Sequence, residues 1–195
     1  TRWTSPQKSY LYAGDDGTLN RITAGSDGTF SVDIFSAEYE YISTVTPEEE
    51  LPIWGGFYSG SEYNFCIFGQ TNEAEDDSCE VIRIVKYSKE WERLDSVSLY
   101  GCNTTVPFDA GTPRMCEDGG NLYVHTSHEM YAIDGINHQA NFQIHVDIGS
   151  MDCFYSYYDI MNIRQAGYVS HSFDQYVRAE GEYVYTLDLG DANPR

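Results

Sequence analysis

Basic residues are scarce in this sequence: 11 Lys and Arg stand against 31 Asp and Glu, which gives a formal net charge of −20. Proteins bind nucleic acid through Lys and Arg side chains that displace the counterions of the phosphate backbone, so a nucleic-acid partner is excluded. An anionic membrane surface is disfavoured for the same reason. Cations, basic partners and neutral sugars remain compatible, and the acidic residues also serve as a solvating coat.

Long hydrophobic runs are absent too, since no stretch of eighteen consecutive apolar residues occurs. The sequence therefore predicts no membrane insertion. No initiator Met or signal peptide is visible, and the chain begins and ends within its own repeat pattern. We therefore expect residues 1–195 to be a single domain that is part of a longer chain.

Recognisable cysteine and catalytic motifs are also lacking. The five cysteines contain no Cys-x-x-Cys pair, which argues against a zinc ribbon or a thioredoxin-like redox site. Most of them suit the role of small buried apolar groups, while disulfides between Cys102 and Cys116 or between Cys66 and Cys79 remain open alternatives. No nucleophile elbow, phosphate loop or dinucleotide fingerprint occurs.

A repeated hairpin is the main feature that the sequence does contain. Gly111–Met130 reads as two strands joined by a tight turn at Gly119-Gly120, because two glycines supply the positive φ angles that such a turn needs. Leu51–Gln70 and Ser172–Asp191 match this pattern, with Gly60 and Gly181 in the place of Gly120. The turn glycines Gly60, Gly120 and Gly181 are therefore 60 and 61 residues apart. Repeats at such a spacing, with strands rich in Tyr, Thr, Val and Ile, are typical of β-propeller blades.

The predicted fold is therefore all-β, with antiparallel four-stranded blades that form a partial β-propeller. The predicted blades cover residues 1–36, 51–100, 111–148 and 168–195. In the third blade we expect two strands within Leu122–Ile133, separated near Ser127, and a long connection after Ile148 that includes a helical turn. Three and a half such units do not close a ring, so we expect further blades outside the given sequence.

Several segments in the second half of the chain resemble a known group of proteins. They are Arg114-Met115, Leu122–Tyr131, Asp134–Asn141, Ser170–Gln175 and Gly190–Arg195. These segments are similar to the propeller-like region of uncharacterised secreted and cell-surface proteins of Gram-positive anaerobic bacteria. The resemblance covers mainly residues 111–195 and implies an extracellular location and a larger parent protein. It implies no reaction, and the internal cysteines depart from the pattern of that group.

Candidate binding residues come from the loops and inner strands. We expect one acidic rim at one end of the blades, opposite Gly60, Gly120 and Gly181. It includes the exposed acidic loops at Asp15-Asp16, Glu48–Glu50 and Glu75–Asp77. Calcium is the candidate metal, because these loops offer hard oxygen donors, although an ordinary acidic turn is the alternative. The metal-ligand candidates are Asp15, Asp16, Glu75, Asp76 and Asp77.

The ligand-binding candidates are Trp54, Arg114, His128, His171 and Asp174. Trp54 offers a flat ring to a sugar or peptide at a channel mouth, although an inner-strand Trp also suits the core. The histidines either contribute to a transition-metal site or hydrogen-bond across a blade junction, with Arg114 or Asp174 as partner.

Two function classes follow from these residues. The first is an extracellular binding or scaffolding module of a larger bacterial surface protein, with a glycan, protein or peptide as ligand. The alternative is a carbohydrate-active enzyme, a glycoside hydrolase or lyase, that uses inner-strand carboxylates of Glu117, Asp118 and Asp174. The Asp at a hairpin also has an ordinary turn role, which favours the binding module.

Overall fold

The computed structural model describes residues 6–131, 137–158 and 172–190, and all regular secondary structure in these ranges is β-strand. No helix in these ranges is long and apolar enough to cross a membrane. The strands form three antiparallel sheets and a hairpin, which follow one another in chain order.

The first two sheets are four-stranded meanders, in which each strand pairs with the next along the chain. Sheet 1 contains β1 (Ser9–Ala13), β2 (Leu19–Ala24), β3 (Phe30–Phe35) and β4 (Tyr41–Val45). Sheet 2 contains β5 (Ile53–Ser59), β6 (Asn64–Gly69), β7 (Glu80–Tyr87) and β8 (Arg93–Tyr100).

The third sheet adds a fifth strand to the same plan. Strands β10, β11, β12 and β13 form a meander, and β9 pairs with the C-terminal part of β11. The final hairpin pairs β14 with β15, and β14 lies beside β10. Sheet 3 contains β9 (Thr104–Pro107), β10 (Arg114–Asp118), β11 (Asn121–Met130), β12 (Gln139–Asp147) and β13 (Cys153–Tyr157), and the hairpin contains β14 (Ser172–Glu180) and β15 (Tyr183–Gly190).

Successive sheets pack face to face through two apolar cores. Sheets 1 and 2 enclose an aromatic core in which Phe30 contacts Trp54, Phe68, Tyr87 and Trp91, with ring centroids 5.1–6.1 Å apart. Sheets 2 and 3 enclose a second core, rich in aliphatic side chains, around Ile67. Because neighbouring residues of a strand point to opposite faces, β6 contributes to both cores, which explains its continuous apolar run.

The sequence predicted most of these strands, with three clear exceptions. Two strands separated near Ser127 were expected, but a single strand, β11, runs from Asn121 to Met130. It pairs with β12 along most of its length. Strand β13 occupies part of the predicted helical connection, and β9 had no predicted counterpart. Turn glycines Gly119 and Gly120 have φ values of 58° and 83°, as the tight turn requires.

The cysteine pairs considered above lie on opposite faces of their sheets. Cys66 is buried in the aromatic core, whereas Cys79 borders the core between sheets 2 and 3. Cys102 borders that second core too, while Cys116 alternates with the core residue Met115 and so faces the hairpin. All five cysteines are free thiols.

Glu50 corrects the expectation that Glu48–Glu50 is an exposed acidic loop. Its side chain is only 4% exposed, and its carboxylate accepts hydrogen bonds from Arg83 Nη1 at 2.8 Å and from Arg93 Nε at 2.6 Å. Arg83 also binds Glu80. Glu50 therefore connects the segment just before β5 to strands β7 and β8 of the same sheet.

We expect Glu50→Ala to lower the free energy of unfolding by about 2 kcal/mol, because it leaves two arginines without their shared partner. This value lies below that of a fully buried pair, since the Arg93 side chain is 40% exposed and water screens its charge. Urea unfolding measures the change. Glu49→Ala, at an exposed neighbour, is the control and should change stability by less than about 0.5 kcal/mol.

Candidate functional site

Glu117 lies at the contact between two hairpin turns and not on a central channel. It projects from β10 toward sheet 2, on the same face as the core residue Met115. Its Oε1 accepts a hydrogen bond from the backbone N–H of Ser61 at 2.5 Å, at the β5–β6 turn. Glu117 thus ties the turn of one sheet to the edge of the next.

A cavity of about 340 Å³ opens beside this contact, between the β5–β6 turn and the β10–β11 turn. It is lined by residues of the two turns, among them Glu62, Tyr63, Glu117, Asp118 and Gly119-Gly120. Lys86 lies behind the wall, where Nζ donates a hydrogen bond to the Ile148 carbonyl at 2.8 Å and lies 5.2 Å from the Tyr63 ring centroid. We call this the turn-end cavity. Its wall offers acceptors to hydroxyl or ammonium groups.

The three carboxylates predicted for catalysis do not form one constellation. Glu117 and Asp118 are successive residues of β10, so their side chains leave opposite faces of the sheet. Asp174 lies at the bulge of β14, with a φ of 48° and an exposed side chain. A glycoside hydrolase needs two carboxyl groups facing each other across the scissile bond, and this arrangement of the three does not provide such a pair.

Trp54 is a core residue, which corrects its proposed role as a ligand platform. Its side chain is 4% exposed, and its ring contacts Phe30 and Phe68 at centroid distances of 5.1 and 5.4 Å. Its Nε1–H donates to the carbonyl of Gln7 at 2.9 Å. With both ring and N–H engaged inside the protein, Trp54 supports the packing of sheet 1 on sheet 2.

Arg114 faces the hairpin from β10. Its guanidinium lies over the Tyr176 ring at 5.5 Å, and its buried Nε has no hydrogen-bond partner. Beside it on the same face of sheet 3, His125 pairs in register with Arg114. His125 Nε2 lies 2.9 Å from Asp188 Oδ1, and Asn141 Nδ2 donates to Asp188 Oδ2 at 3.0 Å. The interface between sheet 3 and the hairpin is therefore polar, unlike the two apolar cores.

Two further polar atoms of this interface are buried without a hydrogen-bond partner, His125 Nδ1 and Asn141 Oδ1. His125 Nε2 contacts Asp188, so the unpartnered atom is the other ring nitrogen. The sequence reasoning did not single out Asp188 or Asn141. The repeat could have identified Asp188, because His125 and Asp188 are 63 residues apart. Thr112 and Gln175, which also share a hydrogen bond, have the same separation. That separation is close to the period of the repeated hairpin.

His128 lies on the opposite face of β11 and is fully buried. Its Nε2 donates to the Tyr158 carbonyl at 2.8 Å, so its Nδ1 accepts from the Thr104 hydroxyl at 2.7 Å. Burial lowers the pKa of His128 to about 4. Thr104 lies in β9 and Tyr158 follows β13, so both partners belong to sheet 3. The hydrogen bonds of His128 therefore stay within one sheet, and the expected bond across a blade junction to Arg114 or Asp174 is not formed.

The acidic loops proposed for calcium are held in local turns. Asp16 Oδ1 accepts from Thr18 N and Oγ1, and Asp76 Oδ1 accepts from Ser78 N and Oγ, at 2.7–3.0 Å. These bonds lower the pKa of both carboxyl groups. Within residues 6–131, 137–158 and 172–190, no three His, Cys, Asp or Glu side chains are grouped to hold a metal ion. The proposed ligand His171 lies outside the described residues.

The two acidic loops also lie at opposite ends of the sheets, which corrects the single acidic rim. Asp15 and Asp16 border a cavity together with Lys89, whose Nζ donates to the Gly60 carbonyl. The β1–β2 turn therefore lies at the same end as Gly60. Glu75–Asp77 belongs to the β6–β7 connection at the other end.

Comparison with known proteins gives a likeness of fold. No family model matches the sequence, and no curated protein matches it. An ACO/RPE65 chimera is similar in structure, with a TM-score of 0.55, 8% identity and coverage of 97% of this chain and 46% of the chimera. An apocarotenoid oxygenase of Synechocystis with a Trp-to-Ala substitution has a TM-score of 0.52, 11% identity and the same coverage. The same oxygenase with a Glu-to-Gln substitution has a TM-score of 0.51, 8% identity and coverage of 78% and 38%.

This chain thus spans less than half the length of these structures. At such low identity the likeness concerns the fold alone. The protein is all-β, with antiparallel sheets.

Proposed function

We propose that the protein is an extracellular binding or scaffolding module of a larger bacterial surface protein, built as antiparallel four-stranded blades of a partial β-propeller. The turn-end cavity is its ligand site, and a glycan is its ligand. The observation that carries the proposal is the composition of this cavity, which brings two glutamates, Glu62 and Glu117, and a tyrosine to a space of about 340 Å³.

The chemistry of the cavity supports a neutral sugar. Ionised carboxylates are pure acceptors and suit the many hydroxyl donors of a sugar, while Tyr63 adds apolar ring surface. The Glu117–Ser61 bond and the buried Lys86 hold the wall in place before any ligand arrives, which lowers the entropy lost on binding. The −20 net charge disfavours anionic glycans at the same site.

A glycan array followed by calorimetry tests this proposal. We expect Glu62→Gln and Glu117→Gln to weaken binding of a retained glycan by roughly tenfold each, because an amide is a poorer acceptor for hydroxyl groups. Glu73→Gln, an exposed acid outside the cavity, is the matched control and should leave the affinity unchanged. Affinity that stays constant in both cavity variants would contradict the assignment of the site.

The same glycan separates the module from the carbohydrate-active enzyme. Incubation with the protein should release no cleavage products, in the parent and in Glu117→Gln, Asp118→Asn and Asp174→Asn alike. Product formation that is lost in one of these amide variants would establish the enzyme instead. If the protein binds a basic peptide and no glycan, its ligand is a peptide and not a glycan.

A further inference from the structure

A second cavity opens at the edge of the aromatic core, between sheets 1 and 2. Its volume is about 340 Å³, and it lies where the chain leaves β4 and close to the turn from β7 to β8. We call it the core-edge cavity. It lies between two four-stranded sheets that pack on each other, and it shares no lining residue with the turn-end cavity. Among its lining residues are Val45, Pro47, Glu48, Tyr87, Trp91 and Arg93.

The hydroxyl of Tyr87 is the unusual group of this cavity. Tyr87 is 1% exposed and its ring lies 5.6 Å from that of Trp91, yet its buried hydroxyl has no hydrogen-bond partner within the protein. The polar atoms of the neighbouring rings are bonded, since Trp91 Nε1–H donates to the Tyr12 hydroxyl at 3.1 Å. Because a buried O–H without an acceptor is unfavourable, the Tyr87 hydroxyl calls for an acceptor from outside the chain.

Tyr87 and Arg93 place this hydroxyl on the wall of the cavity. The two residues are direct cross-strand partners in β7 and β8, so their side chains leave the same face of sheet 2, and both line the cavity. Burial raises the pKa of the Tyr87 phenol, and the nearby Cys66 and Glu50 add to this rise. The phenol therefore stays protonated and is available as a hydrogen-bond donor.

The charges around the cavity favour a neutral ligand. Arg93 is the one cation that lines it in the described part of the chain, and its Nε is already paired with Glu50 Oε1 at 2.6 Å. Glu48 adds an exposed carboxylate. A ligand carboxylate or phosphate would therefore meet no unpaired positive charge here, and the net charge of −20 repels anions as well.

An acetamido group matches the donors, acceptors and apolar surface of the cavity. Its carbonyl is a neutral acceptor for the Tyr87 O–H, and its N–H is a donor for the Glu48 carboxylate. Its methyl group suits the apolar surface of Val45, Pro47 and Trp91. A plain sugar hydroxyl offers no comparable methyl group and is a weaker match for this lining.

We infer that the core-edge cavity binds the acetamido group of an N-acetylated sugar, as a second site in addition to the turn-end cavity. The ligand class, a glycan, rests on the proposed function, and the acetamido group is the added specificity. The Tyr87 hydroxyl donates to the acetamido carbonyl, and Glu48 accepts from the acetamido N–H. Recognition therefore depends on one buried donor and one acceptor at the surface.

Calorimetric titration with two monosaccharides tests this site. N-acetylglucosamine carries the acetamido group and glucose does not, so we expect the protein to bind N-acetylglucosamine at least roughly tenfold more tightly. Tyr87→Phe removes only the hydroxyl and should reduce this preference by roughly fivefold. Tyr10→Phe is the matched control, since Tyr10 packs against the same core outside the cavity, and it should keep the preference.

Two further measurements separate recognition from folding. Glu48→Ala removes the acceptor for the amide N–H and should weaken the binding of N-acetylglucosamine by roughly fivefold. Glu49→Ala, at an exposed neighbour outside the cavity, should leave the affinity unchanged. Urea unfolding of Tyr87→Phe should show no loss of stability, because the hydroxyl has no hydrogen bond within the protein to lose.

The preference between the two sugars distinguishes this site from the turn-end cavity. Glu62→Gln should lower the affinity for both sugars and keep the preference. Equal affinity for the two sugars, or a preference that Tyr87→Phe leaves unchanged, would overturn the site and indicate that water alone fills the core-edge cavity. A preference lost in Tyr87→Phe, with affinity constant in Glu62→Gln and Glu117→Gln, would support this site and contradict the turn-end cavity. No binding of N-acetylglucosamine would overturn this site alone, because the array tests the turn-end cavity with other glycans.

Discussion

Phe30→Ala is expected to lower the free energy of unfolding by about 4 kcal/mol, in the range found when a buried Phe is reduced to Ala. Phe30 is buried at the centre of the aromatic core and contacts four other rings, three of them in sheet 2 and the fourth, Trp91, just before β8. Its removal leaves a cavity that these large rings cannot fill without leaving their rotamers. In a protein of this size the loss corresponds to a fall in melting temperature of roughly 10 °C.

Phe35→Ala is the matched control for this change. Phe35 lies in the same strand, but on the face of sheet 1 that points away from sheet 2 and only half-buried, with Tyr41 as its aromatic neighbour. We expect less than half of the Phe30 effect, measured by urea unfolding of both variants. Equal losses would mean that the aromatic core is not the main attachment between sheets 1 and 2.

Acidification is expected to destabilise the protein between pH 6.5 and 4 through His128. Burial lowers the pKa of His128 to about 4, whereas the unfolded chain binds this proton near 6.5. The unfolded state then holds more protons than the folded state, so stability falls as pH falls through this window and levels off below it. The shift of about 2.5 pH units is worth roughly 3 kcal/mol.

His128→Gln isolates this contribution. The Gln side chain keeps a donor for the Tyr158 carbonyl but has no proton to bind in this range. Plotted against pH, the difference in unfolding free energy between parent and variant should therefore narrow by roughly 3 kcal/mol from pH 7 to pH 4. A constant difference would show that His128 does not carry the effect. His145, whose pKa burial also lowers, remains in both proteins and cancels.

Local patterns in the sequence predicted the meanders, because turn glycines and alternating side chains act over a few residues. Thus the two strands expected on either side of Gly119-Gly120 are β10 and β11. The break predicted near Ser127 was wrong, since the polar residues from His125 to His128 resemble a loop and yet are buried in β11. The Ser127 hydroxyl and the His128 ring bind the carbonyls of Asp109 and Tyr158, which lie 18 and 30 residues away along the chain.

The site could be predicted less well than the fold, for the same reason. Glu50 reads as the end of a solvated acidic run, and only the approach of Arg83 and Arg93 makes its burial favourable. Glu117 was predicted as a catalytic carboxylate of the alternative enzyme, whereas the structure shows its hydrogen bond to Ser61, which is 56 residues away. Sequence identifies which residue types are unusual, whereas tertiary contacts decide which atoms they meet.

Strand β6, buried on both faces, has a consequence for how the protein opens. Because its side chains enter both cores, loosening either core disturbs the other, and the three sheets should exchange their amide hydrogens as one cooperative unit. The hairpin has no such shared strand. It meets sheet 3 through polar groups, some of them without partners, so we expect its amide hydrogens to exchange faster than those of the three sheets.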